Sequence, residues 1–335
     1  MGKIVCFGEL LLRLTAPGRE LVLQSGRLDV QVGGAEANVA VALARLGHES
    51  AMVSRVPDNA LGDAAAGHLR RYGVSTAGVS TGPGRMGLYF LSPGAGLRPS
   101  DILYDREGSS FALAGPADFD WDALLVGADL LHLSGITPAL GPASAEAAIQ
   151  AAETARAKGV AVSFDGNYRA QLWEKWDGDP RAILGRLVGR ADILFGNHRD
   201  ISLLLGREFG GEGEARRREA AESMFAEFPD LKLIASTARH ITDADTHRLS
   251  ARIDGRDGSA QTDEVVVAGI VDRIGAGDAF AAGVLHGMRG GLDLDATIGA
   301  GLALTCLKHS LAGDASLFGP RDIDAFLAGE LDVRR

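Results

Sequence analysis

Cysteine is nearly absent from this 335-residue chain. Cys6 and Cys306 both lie in apolar runs, which leaves no disulfide framework, no metal spacing and two thiols expected to be buried. No apolar stretch approaches the roughly 20 residues of a membrane span. The opening MGKIVCFGELLLRL is interrupted by Glu9 and Arg13 and followed by no small-residue cleavage site, so it reads as a first strand and not a leader. Positive charge is scarce too. The 34 Lys and Arg against 44 Asp and Glu give a formal net charge of -10, which argues against nucleic acid or an acidic membrane as a partner. The eight histidines make no HExxH-type cluster, and no G-x-S-x-G elbow appears. A reducing, cytoplasmic setting is the expectation.

What is present is ordinary for a globular protein: 46% hydrophobic and 23% charged residues, with length enough for a substantial core. KIVCFGELL, SAMVSRV, DLLHLSG, VAVSFD, DILFGN, LKLIAST and EVVVAGIV read as strands. Between them AEANVAVALARLG, DAAAGHLRRYG and SAEAAIQAAETARAKG read as helices, and a further set follows at the C-terminal end. Val39, Leu43 and Leu46 repeat at helical spacing, and Gly47 stops that run. This alternation implies an α/β fold with a mostly parallel central sheet covered by helices on both faces. With no repeat or linker, residues 1–335 read as a single domain. RLDVQV (27–32) alternates polar and apolar, and 86–106 looks like two strands around a Pro/Gly-rich turn. These stretches predict a small β-sheet lid, inserted at about 12–33 and 86–112.

Ligands of open α/β sheets gather at the carboxyl ends of the strands. That rule nominates Gly33 and Gly34, Asp165 to Arg169, Asn197 to Asp200, and DRIGAGDAF (272–280). The last follows the run VVVAGIV and is neither G-x-G-x-x-G nor G-x-x-x-x-G-K-[ST]. The amides of Gly275, Ala276 and Gly277 can open a helix uncapped and cradle a phosphoryl group, glycine allowing close approach. Asp278 then suits a base that accepts the proton of an incoming hydroxyl. Its plainer reading is an acid in the first helical turn. Gly33-Gly34, with Glu36 and Asn38 in the next turn, reads by itself as a tight strand–helix corner. Tyr89, Tyr104, Arg106 and Arg169 suit a small anionic ligand, or else surface ion pairs and a half-buried strand face. Asn197 and Asp200 can face the waters of Mg²⁺ or form a helix cap with its acid.

VGGAEANVAVALARLG and DRIGAGDAFAAG together resemble the two signature segments of the ribokinase-like (PfkB-type) carbohydrate kinases, in the right order along nearly the whole chain. FDGNYRAQLW, YDREGS and LKHSLAGD look like the branch that phosphorylates 2-keto-3-deoxygluconate. The resemblance implies ATP- and Mg²⁺-dependent transfer to a sugar-acid hydroxyl, with Asp278 as base and Gly275, Ala276 and Gly277 as anion hole. By the same match Gly33, Gly34, Asn38, Tyr89, Tyr104, Arg106 and Arg169 contact the sugar acid, Arg169 holding its carboxylate. Asn197, Ser236, Thr237, Gly275, Gly277, Lys308 and His309 become nucleotide candidates. Asp200, where the family usually has Glu, reaches the metal through water. The lid is expected to join copies into a homo-oligomer. Dependence on a monovalent cation stays open, as do a neutral sugar or 2-keto-3-deoxygalactonate as substrate. A catalytically silent sugar-binding regulator is a further alternative, although Asp278 and the glycines are all in place.

Overall fold

The computed structural model describes residues 2–210 and 213–330. Its strands in chain order are β1 (Lys3–Phe7), β2 (Leu11–Thr15), β3 (Asp29–Gly33), β4 (Ser50–Pro57), β5 (Ser75–Gly82), β6 (Gly87–Ser92) and β7 (Asp101–Asp105). They continue as β8 (Ala128–Ser134), β9 (Ala161–Asp165), β10 (Ile193–Phe195), β11 (Leu233–Asp243), β12 (Thr246–Gly255), β13 (Ser259–Gln261) and β14 (Val265–Ala268). The large sheet has the order β13-β12-β11-β10-β9-β8-β1-β4-β5, with β14 paired to β12 off that path. All neighbours from β5 across to β11 are parallel. β12, β13 and β14 are joined in antiparallel fashion.

The parallel strands are buried along both faces, which is why their sequences run apolar without alternation. In β1, Ile4 and Cys6 face one core while Val5 and Phe7 face the other. The first core is closed by helices Ala35–Arg45, Ala276–Arg289 and Leu294–Lys308, the second by Pro142–Ala157, Pro180–Val188 and Gly213–Glu227. Both cysteines are buried and free.

Three readings of the sequence need correction. KIVCFGELL holds two strands, because the chain leaves the large sheet after Phe7 and enters the small one at Leu11. VVVAGIV is not a buried parallel strand. Its first four residues form β14 at the sheet margin, alternating half-buried and exposed, and the run ends at Gly269 with φ +67°. STAGVSTG and THRLSARIDG are strands that the apolar pattern did not mark. β12 tolerates its charges because Arg252 and Asp254 pair with each other inside it, at 2.8 Å.

The two inserted stretches do form a separate four-stranded sheet, β3-β2-β6-β7, with β2 and β6 parallel. Its strands end at Asp105, short of the expected 112, where Arg106 turns inward. Leu11, Tyr89 and Leu91 cover its inner face. On the outer face Val30, Leu14, Phe90 and Leu103 stand in one row across the four strands. The inner face lies over the carboxyl ends of the parallel strands.

Candidate active site

Helix Ala276–Arg289 starts at Gly275, whose φ of +77° places it in the left-handed region that glycine favours. A Cβ there would overlap the carbonyl oxygen of Asp314. No side chain caps this helix. Ala276 spends its amide on the Arg273 carbonyl at 3.3 Å, whereas the amides of Gly277 and Asp278 have no partner among the described residues. Of the three amides read from the sequence, those of Gly275 and Gly277 therefore stay open among the described residues and only Ala276 is engaged, while the Asp278 amide joins them. First-turn amides and the helix dipole both favour a phosphoryl group at this position.

The Asp278 carboxyl faces a cavity of about 190 Å³ lined also by Gly34, Asn38, Tyr89, Tyr104, Arg106, Arg169 and Gly277. Eight residues singled out from four separate stretches of sequence thus converge. Asn38 Nδ2 donates to Asp278 Oδ2 at 2.7 Å and so orients the base. Burial, and then the charges of Asp165, Asp314 and Glu36, push the Asp278 carboxyl up to about 8, against the pull of the Asn38 bond. Asp165 is raised to about 7 by burial and by Asp200. A group of buried acids with such high proton affinity is built to receive positive charge.

Gly34 opens helix Ala35–Arg45 with φ +137°, and a Cβ on it would strike the Glu9 carbonyl. Gly33 stands close against the Asp314 carboxylate and does not line the cavity. The two arginines differ in role. Arg106 is buried with its Nε on the buried Glu9 carboxylate, so its charge is already balanced. Arg169 is exposed at the cavity edge and, among the described residues, donates a hydrogen bond only to the Tyr168 carbonyl, through Nη1 at 3.0 Å. Arg239 is depressed by burial and by Arg273 and Arg169, which places the three guanidinium groups near one another. None of these three has a carboxylate ion-pair partner among the described residues.

Asp314, Glu9 and Arg13 carried no local signal and were missed. Asp314 lines the cavity, accepts the Tyr89 hydroxyl at 2.6 Å and pairs with Arg13 Nη1 at 2.9 Å. Arg13, 1% exposed on β2, donates through Nη2 to Asp272 at 2.6 Å. Asp272 in turn accepts the amides of Ile274 and Gly313, at 2.9 and 3.1 Å. The lid strand, the turn before the hole and the Asp314 loop are therefore fastened together by buried ion pairs.

The nucleotide and metal candidates are less gathered. Asn197 and Asp200 form a reciprocal capping box: Asn197 Oδ1 accepts the Arg199 amide and Asp200 Oδ2 the Asn197 amide, both at 2.8 Å. No group of three or more metal-ligating side chains occurs among the described residues. Ser236 and Thr237 sit within β11, laddered to Arg252 and Ala251 of β12. Lys308 and His309 are fully enclosed. Lys308 donates to the carbonyls of Leu311 and Asp272, and His309 Nδ1 meets the Thr305 carbonyl at 2.7 Å. Their expected contact with nucleotide has no open surface through which to occur.

A match to the pfkB family of carbohydrate kinases spans residues 1–316. The chain belongs to that family. As a PfkB carbohydrate kinase it is a phosphotransferase acting on a sugar. The open amides and the three unpaired arginines are what a polyphosphate requires. A crystal structure of 2-dehydro-3-deoxygluconokinase from Thermotoga maritima superposes with a TM-score of 0.93 at 37% identity, covering 98% of this chain and all of that one. The 2-dehydro-3-deoxygalactonokinase of Haloferax volcanii is 30% identical over 98% of this chain and 97% of its own length. An Escherichia coli structure described as a ribokinase II, holding ATP and Mg²⁺, shares the fold with a TM-score of 0.84 at 20% identity, over 98% of this chain and all of that one. This PfkB kinase is thus close to the 2-keto-3-deoxy sugar kinases. No helix among the described residues is long and apolar enough to cross a membrane.

Proposed function

We propose that this kinase phosphorylates 2-keto-3-deoxygluconate to 2-keto-3-deoxy-6-phosphogluconate. One observation carries the reading: an unpaired cation, Arg169, stands on the same small cavity as the Asp278 base and the open amides of the hole. A sugar acid satisfies both ends, its carboxylate on Arg169 and a hydroxyl on Asp278. The Thermotoga maritima relative, named for the gluconate-derived acid, supports the choice. The Haloferax volcanii relative, named for the galactonate epimer, is the reason to keep that acid as the second reading.

ATP brings the phosphoryl group, and Mg²⁺ offsets its charge when bound. The chain's own residues do the rest. Asp278 takes the proton as the hydroxyl oxygen bonds to phosphorus and the bond to ADP breaks. The Gly277 and Asp278 amides receive the charge on the phosphoryl oxygens, and Asn38 holds the base in line. Asp200 would hold Mg²⁺ through water with the oxygen that its cap leaves free, and the ion would supply charge neutralisation at the phosphoryl group. A second copy of this chain covers the outer lid face, where Val30 and Leu103 are 59% and 65% exposed. A cytoplasmic setting fits the two free, buried thiols.

The test is ADP release with Mg-ATP across a panel of neutral sugars and 2-keto-3-deoxy acids, repeated with Arg169→Ala. The acids should dominate, and the variant should raise their KM at least tenfold, as loss of a charge-assisted bond warrants. Turnover confined to neutral sugars would sink the sugar-acid assignment.

A further inference from the structure

Lys308 is the last residue of helix Leu294–Lys308 and has no accessible surface. An ammonium is almost never buried unless paired, yet among the described residues no carboxylate lies within ion-pair distance of Nζ. It donates instead to two main-chain carbonyls, Leu311 at 2.9 Å and Asp272 at 3.4 Å. These carbonyls belong to different segments, and both segments border the hole. Asp272 begins the turn that leads to Gly275, and Leu311 lies in the loop that ends at Asp314, whose carbonyl is packed against Gly275. A single positive charge held by backbone carbonyls from separate loops is how proteins grip a dehydrated K⁺ ion.

We infer that the Lys308 ammonium is a built-in monovalent cation, holding the two loops that shape the phosphoryl hole, so that turnover needs no added K⁺ or NH₄⁺. Other bonds converge on the same corner. The His309 carbonyl accepts the amides of Val271 and Asp272, and Thr305 Oγ1 donates to the Ala276 carbonyl. The charges agree as well. Burial lowers the proton affinity of Lys308, and Asp272, Asp314 and Asp278 hold the proton against that cost while Arg13 opposes them. Once Asp278 ionises, three carboxylates here face two fixed cations, Arg13 and Lys308. Lys308 is thus a positioning residue, acting on the chemistry through the hole and the base. The inference concerns the transfer step common to the family and holds whichever sugar is taken.

Two measurements test it, both with the substrate that the panel identifies. In the first, initial rates of the unaltered enzyme are compared in K⁺, NH₄⁺, Na⁺ and tetramethylammonium salts at constant ionic strength. The rates should agree within about twofold, well below the effect of losing one charged hydrogen bond. Activation by K⁺ beyond that margin overturns the inference. In the second, Lys308→Met removes the charge and keeps the stem. Its kcat should fall roughly 10- to 100-fold, as hydrogen bonds to a charged group warrant, with sugar affinity by calorimetry little changed. K⁺ or NH₄⁺ should restore part of the loss, and tetramethylammonium none. Full kcat without added cations, or a loss that neither small cation relieves in a folded variant, overturns it. Should the Met variant fail to fold, Lys308→Gln keeps two N–H donors without charge. That variant must also lose kcat for the inference to stand.

Discussion

Asp278→Asn should abolish most turnover and yet stabilise the fold at alkaline pH. An unfolded aspartate titrates near ~3.9, whereas the folded Asp278 carboxyl titrates at about 8. The folded state therefore holds this proton more tightly, and the stability it confers is fully present below the unfolded value and lost as pH rises through the folded one. Between pH 5 and pH 8 the loss amounts to about 3.5 kcal/mol, reckoned at about 1.4 kcal/mol for each pH unit between the two titrations. The carboxyl keeps some surface on the cavity, so solvent screening reduces this to about 2 kcal/mol. Asparagine carries no such charge and still offers an oxygen to Asn38. In a chain of this size about 2 kcal/mol is roughly 3 °C in Tm. Thermal unfolding of both proteins at pH 5 and pH 8 should show the variant ahead at pH 8 and the gap closing at pH 5. Turnover should fall by about 10² to 10⁴. A gap independent of pH would refute the argument that burial and neighbouring acids hold this proton, and near-normal turnover would refute the role as base.

The same titration predicts that kcat/KM rises with pH through about 8, since only the deprotonated carboxyl can act; a profile flat from pH 6 to pH 9 would contradict it. Gly275→Ala should cost most of the activity, because the new methyl group meets the Asp314 carbonyl and φ is positive, and a normal kcat would mean that the turn gives way without harm. Arg13→Met leaves Asp272 and Asp314 buried without their partner, so unfolding in urea should show a loss of about 3–5 kcal/mol, and a loss under about 1 kcal/mol would show that the pair is dispensable. Leu103→Glu puts a charge in the apolar outer row, and light scattering should report a lower particle mass than for the unaltered protein; an unchanged mass would exclude this face as the contact between copies.

The hole and its helix were legible because their information is local: glycines, an acid and an apolar face at helical spacing, all within a few residues. The lid was legible for the same reason, as alternation without a following helix. Arg13, Glu9 and Asp314 were not, since each matters only through partners brought close by the fold, and nothing near Asp314 in sequence reveals the Tyr89 hydroxyl. Lys308 and His309 were nucleotide candidates only through the family resemblance, which carries no sign that helix Leu294–Lys308 ends inside the core. The Asn197–Asp200 pair illustrates a different limit. One spacing serves both a cap and a metal-facing acid, and here the cap is made in full.

The fastening of Arg13 to Asp314, and of Tyr89 to the same carboxylate, bears on how the molecule comes to be active. The bonds join residues 301 and 225 positions apart, the kind of distant closure that forms late in folding. The parallel sheet from β5 to β11 can assemble from earlier parts of the chain while it is being made. The cavity cannot, because one wall arrives only with residue 314. Catalysis thus reports on completion of folding, and a chain stalled before that loop would hold a well-packed sheet with no means of gripping its substrate.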